Sequence, residues 1–364
     1  ANAVTTLEAR YDKPYHSHGS IGPSAGFALS GDGGLNVWSH SQGIYFLRNA
    51  IAKSLGMASE SVRIEHVPGA GCYGHNGADD AAFDAALIAH AIPDTPILLK
   101  WSREEEHSWA PYATAMSMKL QASLDSDGKV IAWSQESFGD TFNMRPRSGP
   151  NQAGPARLLS SRFRTDPPPP FLAKPTMARH VGIHRNLDPL YKFPNKRLVK
   201  NLVRGLPLRT SALRTLGAFG NVFALESFID ELAEAAGADP VSFRLNHLED
   251  PRGREVLETL ASRIDLSADD GRGRGIAFAQ YKNLKAYAAV YVELEVNDAA
   301  EIVLHRAVLV GDAGEIVDRD GLTAQFDGGF LQAASWTLYE QVTWDRDGIT
   351  SRDWETYPIL FFDD

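Results

Sequence analysis

The stretch GLNVWSHSQGIYFLRNAIAKSLGMASESVRIEHV, residues 34–67, has the pattern of a strand, a helix and a second strand joined by short connections. The apolar spacing of Ile44, Leu47, Ile51 and Leu55 predicts one buried helix face, with Ser41 as N-cap and Gly56 ending the helix. Such a crossover makes the strands parallel and brings their C-terminal ends to the same edge of a sheet. We therefore expect Gln42, after the first strand, to lie beside whatever follows the second.

A glycine-rich loop follows the second strand, in VPGAGCYGHNGADDAAFDAALIAHAIP, residues 67–93. It contains G-x-G-x-x-G, but a dinucleotide site also needs a helix that begins at the loop and an acid that closes the next strand. Here the helical pattern begins only after His75-Asn76-Gly77, and Asp94 precedes the strand PILLKW. Dinucleotide binding is thus the weakest interpretation, beside a structural tight turn and a loop whose backbone closely approaches a bulky cofactor.

Composition limits the possible partners. The 364-residue chain has a net charge of −10 and no basic arm with interleaved aromatics, which argues against nucleic acid. No apolar run approaches the ~20 residues of a membrane span, and the N-terminus has no signal pattern, so we expect a soluble protein, cytoplasmic or periplasmic. The single cysteine, Cys72, cannot form an internal disulfide or hold a cluster. The first residue is not Met, as expected of a chain that was processed or cut from a longer one.

Proline, glycine and serine crowd residues 145–175, where we expect a linker or a long surface loop between residues 1–144 and 176–364. Beyond it, NVFALESFIDELAEAAGADP predicts a helix with Gly237 at its C-cap and Pro240 opening the next helix. In AYAAVYVELEV, residues Val290, Val292, Leu294 and Val296 alternate with Tyr291, Glu293 and Glu295, which predicts a half-buried strand. The class is mixed helix and strand.

Several long motifs occur in order along nearly the whole chain: SHSQG, GAGCYGHNGADD, PLRTSALRTLGAFGNVFALESFIDELA, GRGIAFAQYKN, DGLTAQFDGGFLQAASWTLYE and SRDWETYPIL. Together they resemble the molybdenum-binding large subunits of the xanthine oxidase and aldehyde oxidoreductase family, above all its nicotinate dehydrogenase and isoquinoline 1-oxidoreductase branch. The resemblance implies an α+β fold of two elongated molybdopterin-binding subdomains of the xanthine dehydrogenase type, with the cofactor between them.

Family residues carry over by position. Gln42 matches the glutamine that contacts the oxo group of molybdenum, and Tyr73-Gly74 matches an aromatic-glycine pair beside the metal. The residues Gly71 and Cys72 precede that pair, with Cys72 in place of a glycine. The A-x-R-x-x-G loop at the cofactor matches Ala212, Arg214 and Gly217. Leu216 stands where an aromatic often stacks on the substrate, which points away from a purine. The resemblance implies no direct protein ligand to the metal.

The implied reaction is hydroxylation of an N-heteroaromatic compound or an aldehyde, with oxygen from water. Electrons would leave through iron–sulfur clusters on a small partner subunit to a downstream acceptor, and the molybdopterin would be a dinucleotide form. The family's general base is a glutamate in a G-x-G-E motif, which we expect beyond the C-terminus; Glu315, in GDAGE, is a poor substitute. No catalytic residue is therefore assigned, and the chain alone is expected to be inactive.

Three other functions stay open from the sequence: a molybdopterin carrier, a non-catalytic assembly module, and an NAD-dependent oxidoreductase. Several polar residues near the glycine loop have ordinary interpretations. Asp79 and Asp80 fall in the first turn of a helix, where carboxylates offset the positive end of the dipole. The histidines at positions 16, 18, 40 and 75 show no metal-ligand spacing, and ordinary polar roles are expected for them.

Overall fold

The structure is a computed structural model that describes residues 2–147 and 154–361. The strands are β1 (Thr5–Lys13), β2 (Ala25–Gly31), β3 (Gly34–Ser39), β4 (Val62–His66), β5 (Ile97–Lys100), β6 (Met116–Leu124), β7 (Val130–Gly139), β8 (Lys196–Leu202), β9 (Gly273–Gln280), β10 (Tyr287–Val296) and β11 (Ile302–Asp312). The helices are α1 (Ile44–Leu55), α2 (Ala78–Ala91), α3 (Arg103–Trp109), α4 (Ala218–Ala235), α5 (Pro240–His247), α6 (Pro251–Ala261) and α7 (Arg319–Leu338). The mixed helix-and-strand class expected from the sequence is confirmed.

The first sheet has the order β4-β3-β2-β5 and carries the glycine loop at its edge. Its strands β3 and β4 pair in parallel, Leu35 opposite Val62 and Ser39 opposite His66, as the crossover predicts. Alanine-rich α2 packs closely on this sheet: a Cβ added to Gly26 of β2 would lie only 2.6 Å from the Cα of Ala82. Small residues on both surfaces thus set the spacing between helix and sheet.

Helix α1 begins at Ile44, with Gly43 as its N-cap, and Ser41 does not cap it. The hydroxyl of Ser41 instead accepts from the Gly43 amide at 3.1 Å, which closes a turn before the helix. The predicted N-cap is therefore wrong by two residues, whereas Gly56 ends the helix in a left-handed conformation as expected. Gln42 therefore belongs to the turn between β3 and α1 and is part of neither element.

The second sheet has the order β1-β6-β7-β8, with β7 and β8 in parallel. Helix α4 packs against β1 and β6, and its Phe228 and Leu232 are fully buried. This sheet takes strands from both sides of residues 145–175, and one hydrophobic core includes residues from both sides as well. The division of the chain at residues 145–175 therefore stays a proposal. Within that segment the described part forms two short 3₁₀ turns, Pro155–Arg157 and Leu159–Phe163. Residues 148–153 of the predicted linker lie outside the described residues.

The third sheet is antiparallel, in the order β11-β10-β9, and α6 packs on it. Strand β10 matches the predicted strand, but its buried face carries Tyr287, Ala289 and Tyr291, and Val296 is exposed. The valines that alternate with these residues are only half-buried. Aromatic rings therefore fill the space under the helices here, which alternation alone could not indicate.

A buried ion pair ties α4, α5 and β9 together. The guanidinium of Arg244, which has no exposed surface, binds Glu226 at 2.9 Å and Asp230 at 2.6 Å. Glu226 also accepts from the hydroxyl of Tyr191 at 2.9 Å and from the amide of Phe278 at 2.8 Å.

No helix in the described ranges is long and apolar enough to cross a membrane.

Candidate functional site

A cavity of about 1110 Å³ opens where the glycine loop meets the loop before α4 and the inner face of α7. Six of the residues predicted from the sequence line it: Gln42, Tyr73, Gly74, Ala212, Arg214 and Leu216. Its other lining residues include His18, Tyr281, Gln325, Gln332, Trp336 and Glu340. The structure therefore brings residues from distant parts of the chain to one place.

Gly74 joins the two loops by direct backbone contact. It forms a β-bridge with Leu213, and the next amide, of His75, donates to the carbonyl of Ala212 at 2.6 Å. An added Cβ at Gly74 would lie 2.0 Å from that carbonyl oxygen, and its φ of +138° also excludes most side chains. The close approach that requires glycine here is made by Ala212.

The side chain of Gln42 is held by Arg145. One terminal nitrogen of the guanidinium donates to Gln42 Oε1 at 3.0 Å, and the other donates to the carbonyl of Gly74 at 2.9 Å. Its Nε donates to Asp79 at 3.1 Å. The single side chain of Arg145 thus links the glutamine, the glycine loop and α2.

Behind Arg145 lies a buried polar row. Asp79, 1% exposed, approaches His75 Nε2 at 3.3 Å, and His75 Nδ1 contacts the hydroxyl of Ser211 at 2.8 Å. Burial first, and the charges of nearby arginines second, hold the pKa of His75 well below its usual range. Within the described residues, His75 Nε2 makes no hydrogen bond, so its approach to Asp79 is a close contact only. Although the order serine, histidine, carboxylate matches a hydrolytic triad, all three are buried and none lines the cavity, so no substrate reaches the serine.

The neighbouring carboxylate of Asp80 is also paired with an arginine, as Asp79 is with Arg145. It binds Arg209 at 2.7 Å and accepts from the amide of Leu159 at 2.8 Å. Both acids do lie in the first turn of α2, as predicted, yet each also carries a buried arginine contact that the sequence did not indicate.

The loop 212–217 is strained at the cavity. Thr215 and Leu216 have consecutive left-handed backbones, with φ of +71° and +54°, and Tyr73 across the cavity has φ of +49°. Conformations of this kind cluster at functional sites because the surrounding structure must enforce them. Arg214 is anchored to α7, where it donates to Gln332 Oε1 at 3.1 Å.

Three predicted residues lie beside the cavity without lining it. Gly71, with φ of +99°, packs against the ring of Tyr73, and Cys72 contacts the carbonyl of Gly74 at 3.4 Å. Gly217 is the N-cap of α4, and an added Cβ would lie 2.3 Å from the carbonyl oxygen of Ile183. They support the two loops and do not reach the open space.

Two further residues line the cavity although the sequence analysis did not assign them to the site. Glu340 is 6% exposed, and its carboxylate accepts from Ser335 at 2.5 Å and Tyr357 at 2.7 Å, while burial raises its pKa. His18 contacts the carbonyl of Ala212 at 3.0 Å, and burial lowers its pKa to about 4. Arg145 was missed as well, because it falls in the proline-rich segment assigned to a linker.

The cavity can hold a large ligand by hydrogen bonds and backbone contacts. Its volume lies at the upper end for small-molecule and cofactor sites. In the described ranges, no three His, Cys, Asp or Glu side chains are grouped to bind a metal ion directly. Helix α2 begins at Ala78, four residues after Gly74, so it does not open at the glycine loop as a dinucleotide fingerprint requires.

Comparison with known proteins assigns this fold to a class. Models of the molybdopterin cofactor-binding domain match residues 1–151 and 226–364. The chain is 34% identical to a nicotinate dehydrogenase subunit of Pseudomonas putida over 100% of its own length and 30% of that protein. It is 28% identical to the beta subunit of isoquinoline 1-oxidoreductase of Brevundimonas diminuta over 90% of its own length and 40% of that protein. The chain belongs to the xanthine oxidase family, and it spans 30% to 40% of the length of these relatives.

The fold agrees with a solved structure of the same kind. Quinoline 2-oxidoreductase from Pseudomonas putida 86 superposes with a TM-score of 0.76 over 99% of this chain and 68% of that one, at 11% identity. This likeness concerns the fold alone. It supports the α+β molybdopterin-binding architecture that the motifs implied.

Proposed function

We propose that this chain is the molybdopterin-binding part of a molybdenum hydroxylase that acts on an N-heteroaromatic compound or an aldehyde. The observation that carries the proposal is the meeting of Gln42, Gly74 and the strained loop 212–217 at one large cavity. The two named relatives, a nicotinate dehydrogenase and an isoquinoline oxidoreductase, support the reaction class.

The residues present fit such a cofactor. The Gln42 amide offers a hydrogen-bond donor, since its oxygen is taken by Arg145. Gly74 and Ala212 bring backbone rather than side chains to the cavity, so a flat, bulky group can approach. Leu216 lies in the same loop, where the substrate would face the cofactor.

When bound, the molybdenum cofactor would supply the redox chemistry and the activated oxygen. The chain would bind and orient it and exclude water. We propose a dinucleotide form of the cofactor and an iron–sulfur partner subunit that removes the electrons. Both relatives are named as subunits, which supports a partner chain.

Among the described lining residues, Glu340 is the one carboxylate of the cavity. Its two oxygens already accept from Ser335 and Tyr357, so it is held by α7 and the segment after it. We assign it a role in positioning α7 and assign no general base within the described residues.

Metal and cofactor analysis of the full-length protein from its native host tests the proposal. We expect stoichiometric molybdenum, a releasable pterin, and turnover of a nicotinate-like heterocycle or an aldehyde. Molybdenum without turnover of any such compound would favour the carrier. A metal-free protein that co-purifies with an iron–sulfur subunit would favour the assembly module, and bound NAD without molybdenum would contradict the family's chemistry.

A further inference from the structure

A second, smaller cavity of about 150 Å³ shares one lining residue, Leu216, with the large cavity. It lies between the end of β7, the segment 181–185 and β8. Four of its lining residues are basic, and none of the lining residues that the structure describes is a carboxylate: the basic ones are Arg147, Lys174, Arg185 and Lys200. The proposed substrate position thus has a strongly cationic neighbour.

Two of the four basic side chains of this cavity are held by neutral acceptors. Arg185, 9% exposed, donates to the carbonyl of His180 at 3.2 Å and to the hydroxyl of Tyr281 at 2.5 Å. Lys200 donates to the carbonyl of Thr176 and contacts His184 Nδ1 at 3.1 Å. In residues 2–147 and 154–361, none of the four basic side chains forms an ion pair.

Charges in the cavity repel one another and are partly desolvated. The pKa of Arg147 is lowered by burial and then by the charges of Arg145 and Arg185. Burial likewise lowers the pKa of Lys200. A site that concentrates uncompensated positive charge gains free energy when an anion enters it.

We propose that this basic cavity binds a carboxylate on the substrate, so that the enzyme acts on an anionic aromatic acid rather than on a neutral ring. The inference rests on the proposed function, because it takes Leu216 to face the reacting ring. An oxyanion could also belong to the cofactor, as a phosphate. We favour the substrate because the cavity includes neither Gln42 nor Gly74 nor Arg214 in its lining. Arginine also offers the planar pair of donors that matches a carboxylate.

Equilibrium binding of nicotinate and nicotinamide to the full-length protein tests this. The two compounds share a ring and differ in charge at one substituent. We expect nicotinate to bind more tightly, and we expect Lys200→Gln to weaken nicotinate roughly 10- to 100-fold while nicotinamide is unaffected. Lys200→Arg, which keeps the charge, should retain nicotinate binding.

Lys196→Gln is the matched control. Lys196 lies on the same strand, β8, but pairs with Asp188 at 2.7 Å and does not line the cavity. Equal affinity for nicotinate and nicotinamide, or equal effects of Lys196→Gln and Lys200→Gln, would overturn the proposal. Pyrophosphate that binds in a Lys200-dependent manner, with no binding of nicotinate, would assign the cavity to the cofactor and overturn it too.

Molybdenum content, measured on the same preparations, separates this proposal from the proposed function. Charge-dependent binding of nicotinate by a protein that never holds molybdenum would contradict the hydroxylase and support the anion site. Turnover of neutral heterocycles by a molybdenum-loaded enzyme that shows no preference for anions would contradict the anion site alone.

Discussion

The guanidinium of Arg145 donates a hydrogen bond to the side-chain oxygen of Gln42 at 3.0 Å and so fixes the orientation of the Gln42 amide. With Oε1 occupied, the NH₂ group is left to donate to an acceptor in the cavity. The same guanidinium binds the carbonyl of Gly74 and the buried Asp79, so that the glutamine is fixed to the glycine loop and to α2. Orientation of this kind in the shell around a cofactor is commonly as important as the contact itself.

We therefore expect Arg145→Lys to reduce molybdenum retention by the full-length protein roughly 10-fold. A lysine is a single point of charge and cannot bridge three acceptors as a guanidinium does. The matched control is Arg209→Lys, since Arg209 binds the adjacent Asp80 and is similarly buried, with side-chain exposures of 11% and 13% for Arg209 and Arg145. Comparable molybdenum content in the two variants would show that Arg145 only stabilises the fold.

Gly74→Ala should destabilise the protein by at least about 2 kcal/mol. The new methyl group would meet the carbonyl oxygen of Ala212 at 2.0 Å, so the two loops would have to separate. Gly237→Ala serves as the control, because Gly237 has a left-handed φ of +62° but no atom within 4 Å of an added Cβ. Urea unfolding of both variants checks this, and a smaller loss in Gly74→Ala than in Gly237→Ala would refute the steric explanation.

Glu226→Ala should cost about 3–5 kcal/mol, because it leaves the buried charge of Arg244 short of its main partner. Removal of an exposed pair partner should cost no more than ~1 kcal/mol. Glu249→Ala provides that comparison, as Lys192 and Glu249 are 67% and 68% exposed. Thermal or denaturant unfolding measures both, and equal losses would contradict the structural role given to the buried pair.

Acid should destabilise the fold through buried, neutral histidines. The pKa of His18 is about 4 in the folded state, below its unfolded value of about 6.5. A lowered pKa contributes stability that is complete above pH ~6.5 and is lost as the pH falls toward 4, by up to about 3 kcal/mol.

His18→Gln should therefore flatten the fall in the free energy of unfolding between pH 6.5 and 4. The control variant is His90→Gln, which removes an exposed histidine from α2 and is measured beside His18→Gln. Measurements of urea midpoints at several pH values in this window decide the matter. Parallel curves for His18→Gln and the unaltered protein would show that His18 does not titrate as described.

The sequence predicted the part of the site that local pattern controls. Two parallel strands, each followed by a short loop, were enough to place Gln42 beside the glycine loop, and the motif order brought Arg214 to the same cavity. The reason for Gly74, however, depends on its contact with Ala212, more than a hundred residues away. Such a contact leaves no periodic signal in either segment.

Arg145 is a second residue whose contacts could not be predicted from the sequence. It falls in a segment rich in proline, glycine and serine, and such a composition carries no information on where a side chain points. The buried face of β10 was equally hidden, because Tyr287 and Tyr291 are amphipathic and can pack under a helix as readily as a valine. The resemblance of motifs could indicate which residues belong to the site, whereas the orientation of their side chains could be seen only in the folded structure.

The pairing of β1 with β6 also sets an order of events during synthesis. About a hundred residues separate the two strands, and the whole first sheet lies between them in the chain. At typical translation rates, β1 must wait roughly 5–20 s for its partner strand to be made. Until β6 emerges, the backbone hydrogen-bonding groups of β1 lack the strand with which they pair in the folded protein.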